Sequence, residues 1–83
     1  MPTVAIVDGV KIQLYAKEHP PPHFHAVMAE YKAQIEIESL RVLNGKLPPA
    51  IQSNVLSWAR PRRQALRHAW DEIQAKRKPE RIP

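Results

Sequence analysis

Thr3-Val4-Ala5-Ile6-Val7-Asp8-Gly9-Val10-Lys11-Ile12-Gln13-Leu14-Tyr15-Ala16 is the stretch from which the fold can be read. Thr3 to Val7 is apolar and rich in β-branched residues. Asp8-Gly9 is a strong two-residue hairpin signal, because both central positions of a type I′ turn need positive φ. Val10, Ile12, Leu14 and Ala16 then alternate with Lys11, Gln13 and Tyr15, the pattern of a strand with one buried face. A turn this tight pairs Val7 with Val10 and Ala5 with Ile12.

Working outward, Lys17 to Pro22 reads as a loop. Phe24 to Ala29 is a third strand, with Phe24, Ala26 and Met28 on one face and His23, His25 and Val27 on the other. Glu30-Tyr31-Lys32 is expected to turn the chain, and Ala33 to Glu38 alternates strictly, with Glu36 and Glu38 outward. Leu40 to Leu43 with Asn44-Gly45 suggests a further short hairpin before Leu47. Pro48-Pro49 opens a helical region, since proline is tolerated in the first turn of a helix. Ile51, Val55, Trp58 and Ala59 share one helical face. Pro61 then interrupts, because proline inside a helix costs about 3 kcal/mol. A break is expected near Ala59-Arg60, with a second helix from about Pro61 to Lys76 and an apolar stripe of Leu66, Ala69, Trp70 and Ile73.

This order of elements predicts an α+β fold: a small, mostly antiparallel sheet of four to five strands, followed by two C-terminal helices packed on one face. The chain reads as a single domain over 1–83, with a sheet portion 1–47, a helical portion 48–77 and a frayed tail 78–83. Trp58, Leu66 and Trp70 are expected to pack on Ile12, Leu14, Ile35 and Ile37. There are no internal repeats.

An 83-residue chain buries a modest fraction of its surface, which makes a partner or a homodimer a reasonable expectation. With no cysteine, disulfides and thiolate metal sites are excluded, in keeping with a reducing cytoplasm. Met1-Pro2-Thr3 begins no signal peptide, and no apolar run approaches the roughly 20 residues that span a bilayer. The formal charge of +5 is unevenly placed. Charges balance through Ala59, so the whole excess lies beyond it. Arg60, Arg62, Arg63 and Arg67 lead that basic segment and are the candidate contacts to nucleic acid or to an acidic partner. The alternative is a solvated basic helix.

Glu18-His19-Pro20-Pro21-Pro22-His23-Phe24-His25 is where chemistry is expected. Imidazole is suited to proton transfer and metal binding near neutral pH, and the prolines read as a pre-set holder. His23 and His25 project together from a strand, and His19 is expected to fold back across the prolines. Three converging imidazoles can bind Zn²⁺ or another divalent transition metal with a position left for water. Glu18 would then be a fourth ligand, an orienting group or a general base. A metal-free reading makes one histidine the general base and another the general acid for RNA phosphodiester cleavage, with Lys17, Arg41 or the arginine group stabilising charge. His19, His23, His25 and Glu18 are thus the candidate catalytic residues, and the three histidines the candidate metal ligands. A third reading gives the histidines a structural or interface role only. His68 reads as a surface residue, and Trp58 and Trp70 as core anchors.

Met1-Pro2-Thr3-Val4, Gly9, Tyr15 and the Glu18–His25 motif resemble a bacterial family of small proteins, domain of unknown function 4160. Lys32-Ala33-Gln34-Ile35, Trp58 and Trp70 extend the likeness to about Ile73. Pro61 departs from the family's smoother helical run. The resemblance implies a fold and a small partner protein of the domain of unknown function 2442 type, in pairs similar to toxin–antitoxin modules. It implies no particular reaction; action on nucleic acid is the expectation from such pairs, and the histidine readings above would make it of ribonuclease-like or metal-dependent hydrolase type. The competing expectation is a non-catalytic interaction or transcription-regulating module.

Overall fold

Hairpin chemistry sets the first two strands of the computed structural model, which describes residues 2–83. Asp8 and Gly9 take φ of 51° and 78°, the two left-handed positions that the turn requires. β1 (Thr3–Val7) and β2 (Val10–Gln13) pair with Val7 opposite Val10 and Ala5 opposite Ile12, the expected register, and a bulge follows Thr3. β3 (His23–Met28), β4 (Tyr31–Glu36) and β5 (Val42–Lys46) continue an antiparallel meander in the order β1-β2-β3-β4-β5.

Two turns differ from the sequence expectation. The β3–β4 turn is Ala29-Glu30, because Ala29 itself adopts a left-handed φ of 53° and frees Tyr31 to pair with Met28. Asn44-Gly45 makes no hairpin, and β5 runs straight through it. The reversal comes earlier, where Leu40 takes φ of 60° and its N–H donates to Glu36 O at 2.8 Å. Gly45 has another task. It lies opposite Ala33, and a Cβ built there would stand 2.1 Å from the Lys32 carbonyl oxygen. Only glycine lets β5 approach β4 so closely.

Period-two alternation gives the sheet two unlike faces. Ala5, Val10, Ile12, Phe24, Ala26, Ala33 and Ile35 are buried on one. Across it pack α1 (Pro49–Ala59) and α2 (Arg63–Gln74), through Val55, Ala59, Leu66, Ala69, Trp70 and Ile73. Leu14 and Ile37 belong to the same core, as expected, while Trp58 is only partly buried at its margin. Each fully buried Leu, Ile or Phe contributes about 1.5–3 kcal/mol. Pro61 produces the expected break, a single 3₁₀ turn at Arg60–Arg62 between the helices. Asn54 ties α1 to the first hairpin by donating to Asp8 Oδ2 at 2.8 Å. Just beyond the end of α2, Lys76 takes a φ of 62°, which lets its N–H reach Ile73 O and that of Arg77 reach Glu72 O, a Schellman closure.

The tail corrects a further expectation. Residues 78–83 do not fray: Ile82 is buried, its N–H donates to Val4 O at 2.7 Å, and Arg62 Nε donates to Pro83 O. Apolar burial holds a segment that composition alone marks as polar and loose. Among the described residues no helix is long and apolar enough to cross a membrane.

Candidate functional site

Three elements bring the site together. β3 supplies His23 and His25 at alternate positions, so both rings leave the sheet on the same side, away from Phe24. The β2–β3 loop supplies Glu18. The last residue of α2 fixes where that loop starts: Gln74 Nε2 donates to Tyr15 O at 3.0 Å, and Lys17 N–H donates to Gln74 Oε1 at 3.1 Å. This two-point clamp sets Lys17 at φ of 61° and turns Glu18 back toward the strand.

His23 is 6 % exposed, the one buried polar residue among those described. Its Nδ1 lies 2.8 Å from Pro21 O. A carbonyl can only accept, so Nδ1 carries the hydrogen and Nε2 of the neutral ring is bare. That Nε2 is 3.2 Å from Glu18 Oε1, outside hydrogen-bonding geometry, and has no other partner. The same carboxylate oxygen accepts from His25 Nε2 at 2.7 Å. The ligand atoms of Glu18, His23 and His25 all fall within 4.8 Å of one another. In a tetrahedral zinc site, bonds of 2.0–2.1 Å separate neighbouring ligands by about 3.3 Å. The cluster is therefore near that size: the His23–Glu18 separation of 3.2 Å already matches, and the His25–Glu18 contact of 2.7 Å would lengthen.

Aromatic rings fix both imidazoles. Tyr15 meets His25 edge-on with centroids 4.3 Å apart, and its hydroxyl donates to Gln13 Oε1. Trp70 of α2 lies 5.3 Å from the His23 ring. The cluster opens onto a depression of about 520 Å³ lined in part by Gln13, Tyr15, Glu18, His25 and Lys32. A neighbouring one of about 220 Å³ is bordered by His25, Lys32, Gln34 and Asn44.

The structure revises the candidate list. His19 does not fold back across the prolines. It is exposed and outside the group, and Glu18 takes the third ligand position instead. The arginine group does not converge on the site. Arg62 is a structural staple: it donates to Trp58 O at 2.8 Å and to Pro83 O at 2.7 Å, with its guanidinium 5.1 Å from the Trp58 ring centre. Arg67 pairs with Asp71 at 3.4 Å, Arg60 and Arg63 are exposed, and none of the four lines either depression. His68 is a surface residue, as expected, 3.5 Å from Glu72. Sequence reasoning missed Lys32, Gln34, Asn44 and Trp70. The first three carry a signal, since strand alternation puts them on the histidine side once register is known. The approach of Trp70 to His23 has none, because it depends on how α2 packs.

No curated protein matches the chain, and no solved structure does. A family model covers most of its length, residues 9–71. With the histidine motif, strands β2 to β5 and the first helix inside that span, the chain belongs to the family described as Domain of unknown function (DUF4160).

Proposed function

We propose that Glu18, His23 and His25 bind a divalent transition metal, zinc or an ion of similar softness, and that this centre acts on nucleic acid in the cytoplasm as one half of a toxin–antitoxin-like pair. One observation carries the metal: the bare, buried Nε2 of His23, held against a carboxylate oxygen at 3.2 Å. Two acceptors this close repel, and a buried polar atom without a partner costs about 1–3 kcal/mol. A proton on Nε2 would be poorly aligned with Glu18 and would bury a charge. A cation seated among the three ligand atoms meets all of them. Pro21 O fixes the ring through Nδ1, as a carbonyl behind a ligating histidine commonly does.

An ion held by three protein ligands supplies Lewis acidity toward a water and a phosphoryl oxygen. The residues around it have separate tasks. Trp70 covers the His23 ring, Tyr15 orients His25, and Lys32 brings positive charge to the depression. The partner is a small protein of the domain of unknown function 2442 type, which the family resemblance supports.

Elemental analysis of protein purified without a histidine tag, after growth with added Zn²⁺, tests the metal. About one ion per chain is expected, lost in His23→Ala at unchanged folding and kept in His19→Ala. A metal-free wild type, or a His23→Ala protein that still carries one ion, overturns the assignment. Ligands must be unprotonated to bind, so occupancy falls as pH drops. Loss of cell toxicity in His23→Ala, with partner binding intact, separates this reading from a non-catalytic interaction module.

A further inference from the structure

Lys11, Lys32 and Lys46 form a row across the open face of the sheet. Lys11 lies opposite Val27, Val27 opposite Lys32, and Lys32 opposite Lys46. All three lysines are exposed, and among the described residues none of them is in an ion pair. Strands lie about 4.8 Å apart, so the row spans roughly 14 Å. One step along the strands, about 7 Å away, runs a second row: Gln13 opposite His25, His25 opposite Gln34, Gln34 opposite Asn44. The face therefore passes from unpaired cations, through carboxamides, to the Glu18–His23–His25 cluster. His25 and Lys32 border both depressions.

This order matches the parts of one ligand. Cations suit phosphates, and carboxamides both donate and accept, as unpaired base edges and 2′-hydroxyls require. An acidic peptide carries no phosphodiester for the cluster to act on, and a duplex would hide its base edges. We propose that the open sheet face is the track for single-stranded RNA, with phosphates on Lys11, Lys32 and Lys46 and with Gln13, Gln34 and Asn44 facing the sugars and bases. One phosphodiester is thereby led to the cluster. The inference rests on the proposed metal centre for its chemistry, but binding to the track is separable from it.

Fluorescence anisotropy tests the track, using a labelled mixed-sequence 12-nucleotide single-stranded RNA and the full chain grown with Zn²⁺. The triple variant K11Q/K32Q/K46Q is expected to lose at least 30-fold in affinity at low salt. Its slope of log affinity against log salt should shrink by about 2, since each single-strand phosphate contact contributes about 0.7. Its zinc content should stay at the wild-type level. R60Q/R63Q, on the exposed helical surface, should change affinity less than threefold. Wild-type protein that does not bind this RNA, a triple variant that binds it normally, larger loss in R60Q/R63Q, or equal binding of the matching single-stranded DNA or duplex RNA each overturns the track. RNA binding that survives in a metal-free wild type upholds the track and removes the metal centre, so the two failures are distinguishable.

Discussion

The face of the sheet that carries Ile12, Phe24, Ala26 and Ile35 is sealed beneath α1 and α2, whereas the face that carries Lys11, His25, Lys32 and Asn44 is open. The same five strands build both. On the covered side every position is apolar and its size matters, because interiors are packed as tightly as crystals. On the open side stand three unpaired lysines, a row of carboxamides and the exposed Ile6, at 59 %. Folding demands none of these. The contrast separates residues kept for stability from those available for binding. His23 belongs to both groups, being rooted on the open side yet buried.

The sharpest way to break this comparison is to remove one large side chain from each face. Phe24→Ala should cost about 3–5 kcal/mol, most of the stability of so small a domain. Lys32→Ala should fall within about 0.5 kcal/mol. Denaturant titration reads both, and equal effects would erase the distinction. Next in size is Gly45→Ala. Its left-handed backbone costs about 1–2 kcal/mol for any residue with a Cβ, and the clash with the Lys32 carbonyl adds to that. A loss above about 2 kcal/mol is expected, with amide exchange rising first along β5. A neutral result would mean that β4 and β5 can separate freely.

The smallest effect lies off the sheet, at the end of α2. The Arg77 guanidinium donates to Glu72 at 2.7 Å and holds its carboxyl below the ordinary value, with a weaker contribution from the charge of His68. A carboxyl depressed in the folded state adds stability above its unfolded pKa and loses it as pH falls through the folded value. Arg77 is exposed and Glu72 half-buried at the surface, where solvent screens the pair, so the effect on melting should be slight. A carbon-detected titration of Glu72 should move up toward the ordinary carboxylate range in Arg77→Ala. No movement would show that the pair does not form in solution.

The covered face was largely legible in the sequence and the open one only in part. Asp8-Gly9 fixed the first register through turn chemistry alone, and Pro61 marked the break between the helices. Asn44-Gly45 misled because glycine serves close strand approach as well as turns, and local sequence does not distinguish the two. His23 and His25 were readable as a pair from alternation. The third ligand was not, since choosing Glu18 over His19 depends on Gln74, 57 residues away from Lys17 in sequence, gripping the loop. Charge counting favours the arginines of Arg60 to Arg67 because they lie within eight positions of one another. The three lysines are far apart in the chain and meet only through strand pairing.

The docking of residues 78–83 beside β1 has a consequence for how copies of this protein can join. A strand arriving beside β1 finds the outward carbonyl of Val4 already engaged by Ile82, whose side chain is buried there. Among the described residues nothing caps the border formed by β5 in this way. Edge-to-edge joining through β5 therefore stops at two copies, because each newcomer uses up the one vacant margin it brings. Fibrillar growth needs two sticky margins per molecule, and six residues after Arg77 are enough to deny it the second.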